Sequence, residues 1–366
     1  MRIGIDVRKY SDLGIGTYIR TLLTEFDARL NHDVVLFASP EEAARIRSRH
    51  RGEVVVERAG KYSVKELFSL SVKARASRCD LFHAPHYTLP YFLGCRSVVT
   101  IHDLIHLRFP ESFNAAKQAY ARAVIGHACA AADAIIVDAE FTKRDIEATF
   151  RVSPEKIHVV HLGVRQEFTT ALAGSEARVV AHSLPEGTPY ALYVGSLKPH
   201  KNIPVLLKAF AQLGDFPDLR LVLSGEPFDA NDGLLSLSRS LGIRDRIIDA
   251  GRVSTEGLVS LYQKASVVVL PSLYEGFGLP ILEAMACGTP IIGARAASIP
   301  EVMGEGGMMF DPTDAGELAG LIRSVLTDRS LRDSQRAYGL TNARRFSREE
   351  QAARTIQVYE SLLSTR

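Results

Sequence analysis

The chain has 366 residues, 46% of them hydrophobic and 23% charged, with a formal net charge of +2 at pH 7. That length exceeds what one hydrophobic core usually carries and implies two domains, and a charge so near neutrality argues against a nucleic-acid partner. The longest apolar run, 121–137, is broken by Arg122, His127 and Asp133 and does not read as transmembrane; the four cysteines, Cys79, Cys95, Cys129 and Cys287, lack metal-ligand spacing, as expected of reduced thiols in a cytoplasmic protein.

Residues 2–6, Arg-Ile-Gly-Ile-Asp, read as a first strand and not as a signal peptide, because no apolar h-region follows. A glycine turn, Gly14-Ile-Gly16, leads into a helix over 17–30. Strands are expected at 34–37, 54–56, 81–83, 97–101, 134–137 and 158–160, with helices between them. An irregular stretch then separates a second block, with strands at 189–194, 219–223, 247–250, 267–270, 290–293 and 307–310 and helices at 203–213, 234–241, 255–264 and 315–326. A final helix over 348–363 has no sheet of its own left to cover. Such alternation implies an α/β protein with parallel sheets and right-handed crossovers. The expected division is an N-terminal Rossmann-like domain over 1–172, a linker at 173–188, a C-terminal Rossmann-like domain over 189–346, and a C-terminal helix, 347–366. Ligands of open α/β sheets bind outside the carboxyl ends of the strands, so two such domains facing across a cleft would bind there.

Basic residues gather at Arg45, Arg47, Arg49, Arg51, Arg58, Lys61 and Lys65, followed by Arg75 and Arg78. The run reads as a solvated face or as a docking face for anionic lipid headgroups.

The most informative segment is Pro271-Ser-Leu-Tyr-Glu-Gly-Phe-Gly-Leu-Pro-Ile-Leu-Glu-Ala-Met-Ala-Cys-Gly-Thr-Pro290. A β-branched strand precedes it, a glycine loop opens it, and Pro280 suits the first turn of a helix that Gly288 ends. Loop and helix-start amides suit phosphates. Two carboxylates beside them, Glu275 and Glu283, suit a ligand bearing hydroxyls as well as phosphates, as a nucleotide sugar does.

This segment resembles the Glu-(seven residues)-Glu signature of retaining family 4 glycosyltransferases, mannosyltransferase-like, with the GT-B fold. The resemblance implies that Glu283 holds the ribose hydroxyls, that Glu275 faces the transferred sugar, and that Gly276, Phe277, Gly278 and Leu279 offer amides to sugar and diphosphate. It also implies that the C-terminal helix crosses back to pack on the first domain.

Gly195-Ser-Leu-Lys-Pro-His-Lys-Asn202 follows a strand, where a fixed cation stabilises a departing diphosphate. It is similar to the family's Gly-Arg…Lys element, with Lys201 at the Lys and Ser196 in place of the Arg. His200, Lys198 and Arg252 are candidates for the missing charge. Val98-Val-Thr-Ile-His-Asp103 ends another strand; the resemblance puts His102 near the donor sugar, with Asp103 orienting it or contacting the acceptor. His83 and His86 also follow a strand and are expected on the acceptor side. Gly14 and Gly16 do not form a dinucleotide fingerprint, since Ile19 stands where a third Gly would fall. They resemble instead the family's N-terminal glycine loop, with Leu13 at its usual first Gly. Gly251-Arg252-Val253 resembles the base-binding loop, and Ser224 lines the same pocket.

No Asp-x-Asp pair with strand context and no metal-ligand cluster is present in the sequence, so no metal or other cofactor is expected. The implied activity is transfer of a hexose, with mannose from GDP-mannose favoured, to a glycan or lipid-linked acceptor. The enzyme is expected in the cytoplasm, with peripheral contact at the inner face of an anionic membrane. Alternatives are a non-catalytic GT-B subunit that binds sugar nucleotide and a GT-B sugar-nucleotide epimerase.

Overall fold

The computed structural model describes residues 1–12, 14–110, 114–169 and 187–364. Leu13 and most of the expected linker 173–188 lie outside the described residues. The chain divides into two compact units, Met1–Gly163 with Ser347–Arg366, and Val164–Phe346.

The first unit holds strands β1 (Arg2–Asp6), β2 (Asp33–Ala38), β3 (Glu53–Val56), β4 (Leu81–Ala84), β5 (Arg96–Thr100), β6 (Ala134–Val137) and β7 (Ile157–Val159). They pair in parallel in the order β3-β2-β1-β4-β5-β6-β7. The central strands are short apolar runs buried along their length, as strands covered on both faces must be. Phe37, Phe82, Leu70, Val99, Ile101, Ile125 and Ile135 belong to the core between this sheet and its helices.

The apolar run at 121–137 resolves into the end of a helix, Ala115–Ala131, and β6. Asn114 starts that helix, its side chain accepting from Lys117 N. The C-terminal helix Arg348–Ser364 packs on the helix Ile15–Arg29 of this unit. Tyr359 meets Phe26 edge-on at 5.8 Å, and Arg348 lies 3.5 Å from Glu25.

The second unit holds β8 (Tyr190–Gly195), β9 (Arg220–Gly225), β10 (Ile247–Gly251), β11 (Val267–Leu270), β12 (Ile291–Ala294) and β13 (Met308–Phe310), parallel in the order β10-β9-β8-β11-β12-β13. At Gly225 a Cβ would lie 2.1 Å from Gly195 O, so the ends of β9 and β8 approach as closely as they do only through glycine.

One helix, Arg329–Ala343, was not expected from the sequence. It buries only Gly339, Asn342 and Ala343 and is polar over most of its surface, so few apolar residues mark it in the sequence. Its start is marked instead by Asp328, which accepts from Leu331 N.

Candidate functional site

In the second unit the sheet order reverses between β8 and β11, the place where open α/β sheets bind ligands. The loops leaving these two strands bring Lys201 and Glu275 together: Nζ lies 2.7 Å from Oε1. The local sequence fixes that meeting. A turn at Pro199–Lys201 ends on Asn202, whose backbone is left-handed at φ 54°. Asn202 Nδ2 donates to Pro271 O and Pro312 O, and Leu273 N donates to His200 O, so the two loops are stitched directly. Ser272 Oγ donates to Glu275 Oε1, and buried Ser298 donates to the carbonyls of Glu275 and Phe277. Beyond Gly276 and Phe277, Gly278 takes φ 101° and starts the helix Leu279–Ala286. Helix starts present N–H groups without intrahelical acceptors, together with the positive end of the dipole.

His200 is buried, and burial, with Lys201 beside it, pulls its imidazole down to about 4. It is therefore neutral near pH 7 and does not replace the charge missing at Ser196. Lys198 and Arg252 are exposed and keep that candidacy.

Glu283 is buried on the helix Leu279–Ala286. Arg165 Nη2 and the Tyr262 hydroxyl each donate to its carboxylate at 3.0 Å. Burial raises its pKa, against the pull of Arg165. Arg165 and Tyr262 escaped the sequence reading. Arg165 lies far from any motif in sequence, and Tyr262 reads as an ordinary apolar position of a helix.

At the ends of β9 and β10, Ser224 Oγ donates to Gly251 O at 3.0 Å. Its hydroxyl proton thus fixes the loop that carries Arg252 and half-buried Val253.

In the first unit the reversal falls between β1 and β4. Directly after β1, buried Arg8 pairs with Asp6 at 2.6 Å and with Glu66 at 2.7 Å. Lys9 is 4% exposed, and its Nζ lies 3.5 Å from the Tyr62 ring centroid with no hydrogen-bond partner. Burial, which outweighs the neighbouring carboxylates, lowers its pKa to about 8. His86, after β4, packs between Tyr62 and Tyr87, and its Nδ1 also lacks a partner. Burial, then Lys9, pushes it well below the usual imidazole range. Arg8, Lys9, Glu66 and Tyr62 were not singled out in the sequence. The rule that ligands sit at strand ends points to Arg8 and Lys9, since they follow β1 immediately.

His102, after β5, is held by Asp138: Nδ1 lies 2.7 Å from Oδ2, while Nε2 faces Pro85 O at 3.2 Å. With acceptors at both nitrogens the ring is best satisfied as imidazolium. Burial opposes that charge, but Asp138, Asp103 and Pro85 O outweigh it and raise the pKa. In this arrangement both ring nitrogens are engaged within the protein. Asp103 does not orient His102: its carboxylate accepts from Ile105 N, and Asp138 takes the orienting part. His83 does not line an acceptor surface. It is fully buried, bonded to Thr100 Oγ1 at 2.8 Å and to the Tyr359 hydroxyl at 2.6 Å, because its strand lies at the centre of the sheet.

Gly14, at φ 55°, precedes the helix Ile15–Arg29; Gly16 lies within its first turn, where a Cβ would stand 2.6 Å from Tyr10 O. Among the described residues no group of three or more His, Cys, Asp or Glu is placed to hold a metal ion.

A family profile described as "Glycosyl transferases group 1" matches residues 175–341, and one described as "Glycosyltransferase Family 4" matches residues 14–168. Over 285 residues the chain is 33% identical to the O-antigen chain mannosyltransferase B of Escherichia coli, covering 77% of this chain and 74% of that protein. It is 36% identical over 230 residues to the MMP alpha-(1->4)-mannosyltransferase of Mycolicibacterium hassiacum, covering 60% of this chain and 52% of that one. In fold it is similar to Anabaena Alr3699/HepE, a structure determined with UDP and glucose, at a TM-score of 0.79 and 20% identity over 99% of this chain and 100% of that one.

Proposed function

Since the chain belongs to the family 4 glycosyltransferases and has their GT-B fold, we propose that it is a retaining mannosyltransferase moving mannose from GDP-mannose to a glycan or lipid-linked saccharide, without a metal or other cofactor. The observation that carries this reading is the Lys201–Glu275 pair at the carboxyl ends of β8 and β11, beside the helix start at Gly278. It sets a cation, a carboxylate and a helix dipole within one crevice of the sheet.

In this reading Lys201 and the helix amides receive the diphosphate, and Glu275, released from the ammonium, faces the sugar hydroxyls. Glu283 takes the ribose hydroxyls on the lone pairs that Arg165 and Tyr262 leave open. The acceptor hydroxyl forms its bond to the anomeric carbon on the face from which the diphosphate departs. Its proton passes to the leaving phosphate oxygen. Negative charge builds on that oxygen, and a preorganised ammonium stabilises the transition state more than the bound donor.

Mannose is supported by the names of two relatives, both mannosyltransferases. A cytoplasmic site is supported by four free thiols. Ser196, in place of an arginine, favours a second reading, a subunit that binds sugar nucleotide without turnover.

The test is nucleotide release from GDP-mannose, UDP-glucose and UDP-N-acetylglucosamine, with and without saccharide acceptors, and the anomeric configuration of any product by NMR. Faster release of GDP from GDP-mannose, with retained configuration, is expected. Preference for a UDP-sugar overturns the mannose assignment, and an inverted product overturns retention. Tight binding with no release under any acceptor selects the subunit. Conversion of UDP-N-acetylglucosamine alone to its epimer selects an epimerase.

A further inference from the structure

A hydrogen-bond relay runs through the core of the first unit, from the C-terminal helix to the carboxyl end of β5. The Tyr359 hydroxyl lies 2.6 Å from His83 Nδ1, His83 Nε2 lies 2.8 Å from Thr100 Oγ1, and Thr100 Oγ1 lies 3.0 Å from the Tyr18 hydroxyl. None of these residues is more than 3% exposed. They come from the helix Arg348–Ser364, β4, β5 and the helix Ile15–Arg29. At the far end, the Tyr18 ring meets the His102 ring edge-on, with centroids 5.0 Å apart and planes at 77°.

A core that needed only volume would fill this space with apolar side chains, which carry no polar group to satisfy. The relay instead demands a partner at every link, and so specifies one arrangement. Burial, and then the charge of His102, pull the His83 imidazole down to about 3, so the ring is neutral. A neutral imidazole donates from one nitrogen and accepts at the other, so Tyr359 and Thr100 together fix its tautomer and its angle. Thr100 in turn anchors the phenol of Tyr18. His102 meets Tyr18 through ring packing, because Asp138 and Pro85 O already occupy both of its nitrogens. Tyr359 is itself held against Phe26, on the same helix as Tyr18, with ring centroids 5.8 Å apart.

We propose, on the reading that His102 stands near the donor sugar, that Tyr359 is a positioning residue for His102, acting through His83, Thr100 and Tyr18. The C-terminal helix thereby sets the tilt of the imidazole at the end of β5. Loss of the Tyr359 hydroxyl leaves a buried nitrogen of His83 without its partner, and the ring turns to find another. Thr100 and Tyr18 shift with it, and His102 loses the surface that fixes its tilt. A loosened His102 meets the donor in a less productive geometry, which lowers turnover and leaves nucleotide affinity as it was.

The experiment compares Tyr359→Phe and Thr100→Val with wild type in the full chain. Phe keeps the ring against Phe26, and Val keeps the branched shape of Thr. Nitrogen-15 NMR of labelled histidines reads the His102 imidazole, assigned by its loss in His102→Gln. In both variants the His102 resonances are expected to shift, nucleotide release at saturating donor should fall about tenfold, and GDP affinity should hold. If Tyr359→Phe does not fold, Thr100→Val decides on the same measurements. A lower melting temperature with unmoved His102 resonances makes the relay structural and overturns the proposal. Shifted resonances with parental turnover overturn it too. His102→Gln tests the reading beneath: parental turnover there removes His102 from the donor site and takes the proposal with it. Lost turnover in His102→Gln, with His102 unmoved in Tyr359→Phe, overturns the proposal alone.

Discussion

Lys201 Nζ lies 2.7 Å from Glu275 Oε1, joining the two loops that flank the reversal of strand order in the second sheet. The two side chains are 74 residues apart in sequence, yet Asn202, Ser272 and Ser298 hold them in register. If the ammonium stabilises the departing diphosphate, Lys201→Ala should lower turnover at saturating donor by about 10²–10³. Steady-state nucleotide release measures this. Adding Ser196→Arg to that variant should restore part of the loss. Near-parental turnover in Lys201→Ala would remove Lys201 from the chemistry and leave Lys198 or Arg252 as the diphosphate cation.

Glu283 has two duties that one substitution separates. Its carboxylate is expected to take ribose hydroxyls, and it also neutralises Arg165 inside the unit. Glu283→Ala should weaken GDP binding about ten- to a hundredfold, the range of a charge-assisted hydrogen bond. It should also lower the melting temperature, because Arg165 is left half-buried without its partner. Glu283→Ala with Arg165→Met should recover stability but not affinity. Calorimetric titration with GDP reads the first effect and thermal unfolding the second. If the double variant also regains affinity, the carboxylate serves structure alone.

The strands were legible because each is a short β-branched or apolar run bounded by turn residues. Those at 134–137 and 267–270 match β6 and β11 end to end. The segment from Pro271 to Pro290 was legible because a strand, a positive-φ glycine and a proline-started helix follow one another locally. Long-range partners were not. Asp138 for His102, Arg165 for Glu283 and Tyr359 for His83 are separated from their partners by 36, 118 and 276 residues, and nothing local announces them. The misjudged histidine, His83, shows the same limit: a His at a strand end looks the same in sequence whether it opens to a ligand or turns into the core.

Activity should persist in excess chelator. The proposed diphosphate site uses an ammonium and a helix start, and among the described residues no group of three or more His, Cys, Asp or Glu is placed to hold a metal ion. The measurement is nucleotide release with and without EDTA. Abolition by EDTA and recovery with Mg²⁺ or Mn²⁺ would show that a metal neutralises the diphosphate.

Stability should fall on acidification. Burial pushes His83 down to about 3, against about 6.5 in an unfolded chain. Between those values the unfolded state binds the proton and the folded state does not, so the contribution is complete above pH 6.5 and is lost as pH drops toward 3. By pH 5 the loss from this residue is about 2 kcal/mol. Urea unfolding at pH 7 and pH 5 should show it, and His83→Gln, which keeps polar contacts but does not titrate, should lose less. An equal loss in that variant would move the effect to His86 and His200.

Lys9 is an amine buried at the carboxyl end of β1 with the Tyr62 ring over it and no hydrogen-bond partner. His86 Nδ1, on the neighbouring strand end, is unpartnered too. A buried polar group without a partner costs stability, and replacing it with an apolar group of similar shape is neutral or stabilising. If Lys9 served only as counter-ion to Asp6 and Glu66, removing it would instead destabilise the unit. Those carboxylates already share Arg8, so Lys9→Met should leave the melting temperature unchanged or raise it. If Lys9 and His86 receive hydroxyls of the saccharide acceptor, with Tyr62 stacking on the sugar, the same variant should raise the acceptor KM by about tenfold, the worth of one charge-assisted hydrogen bond. GDP affinity should not change, because the nucleotide is expected on the second unit. A lower melting temperature with unaltered acceptor KM would show Lys9 to be structural. A raised acceptor KM in a protein of full stability would identify the end of β1 as part of the acceptor site.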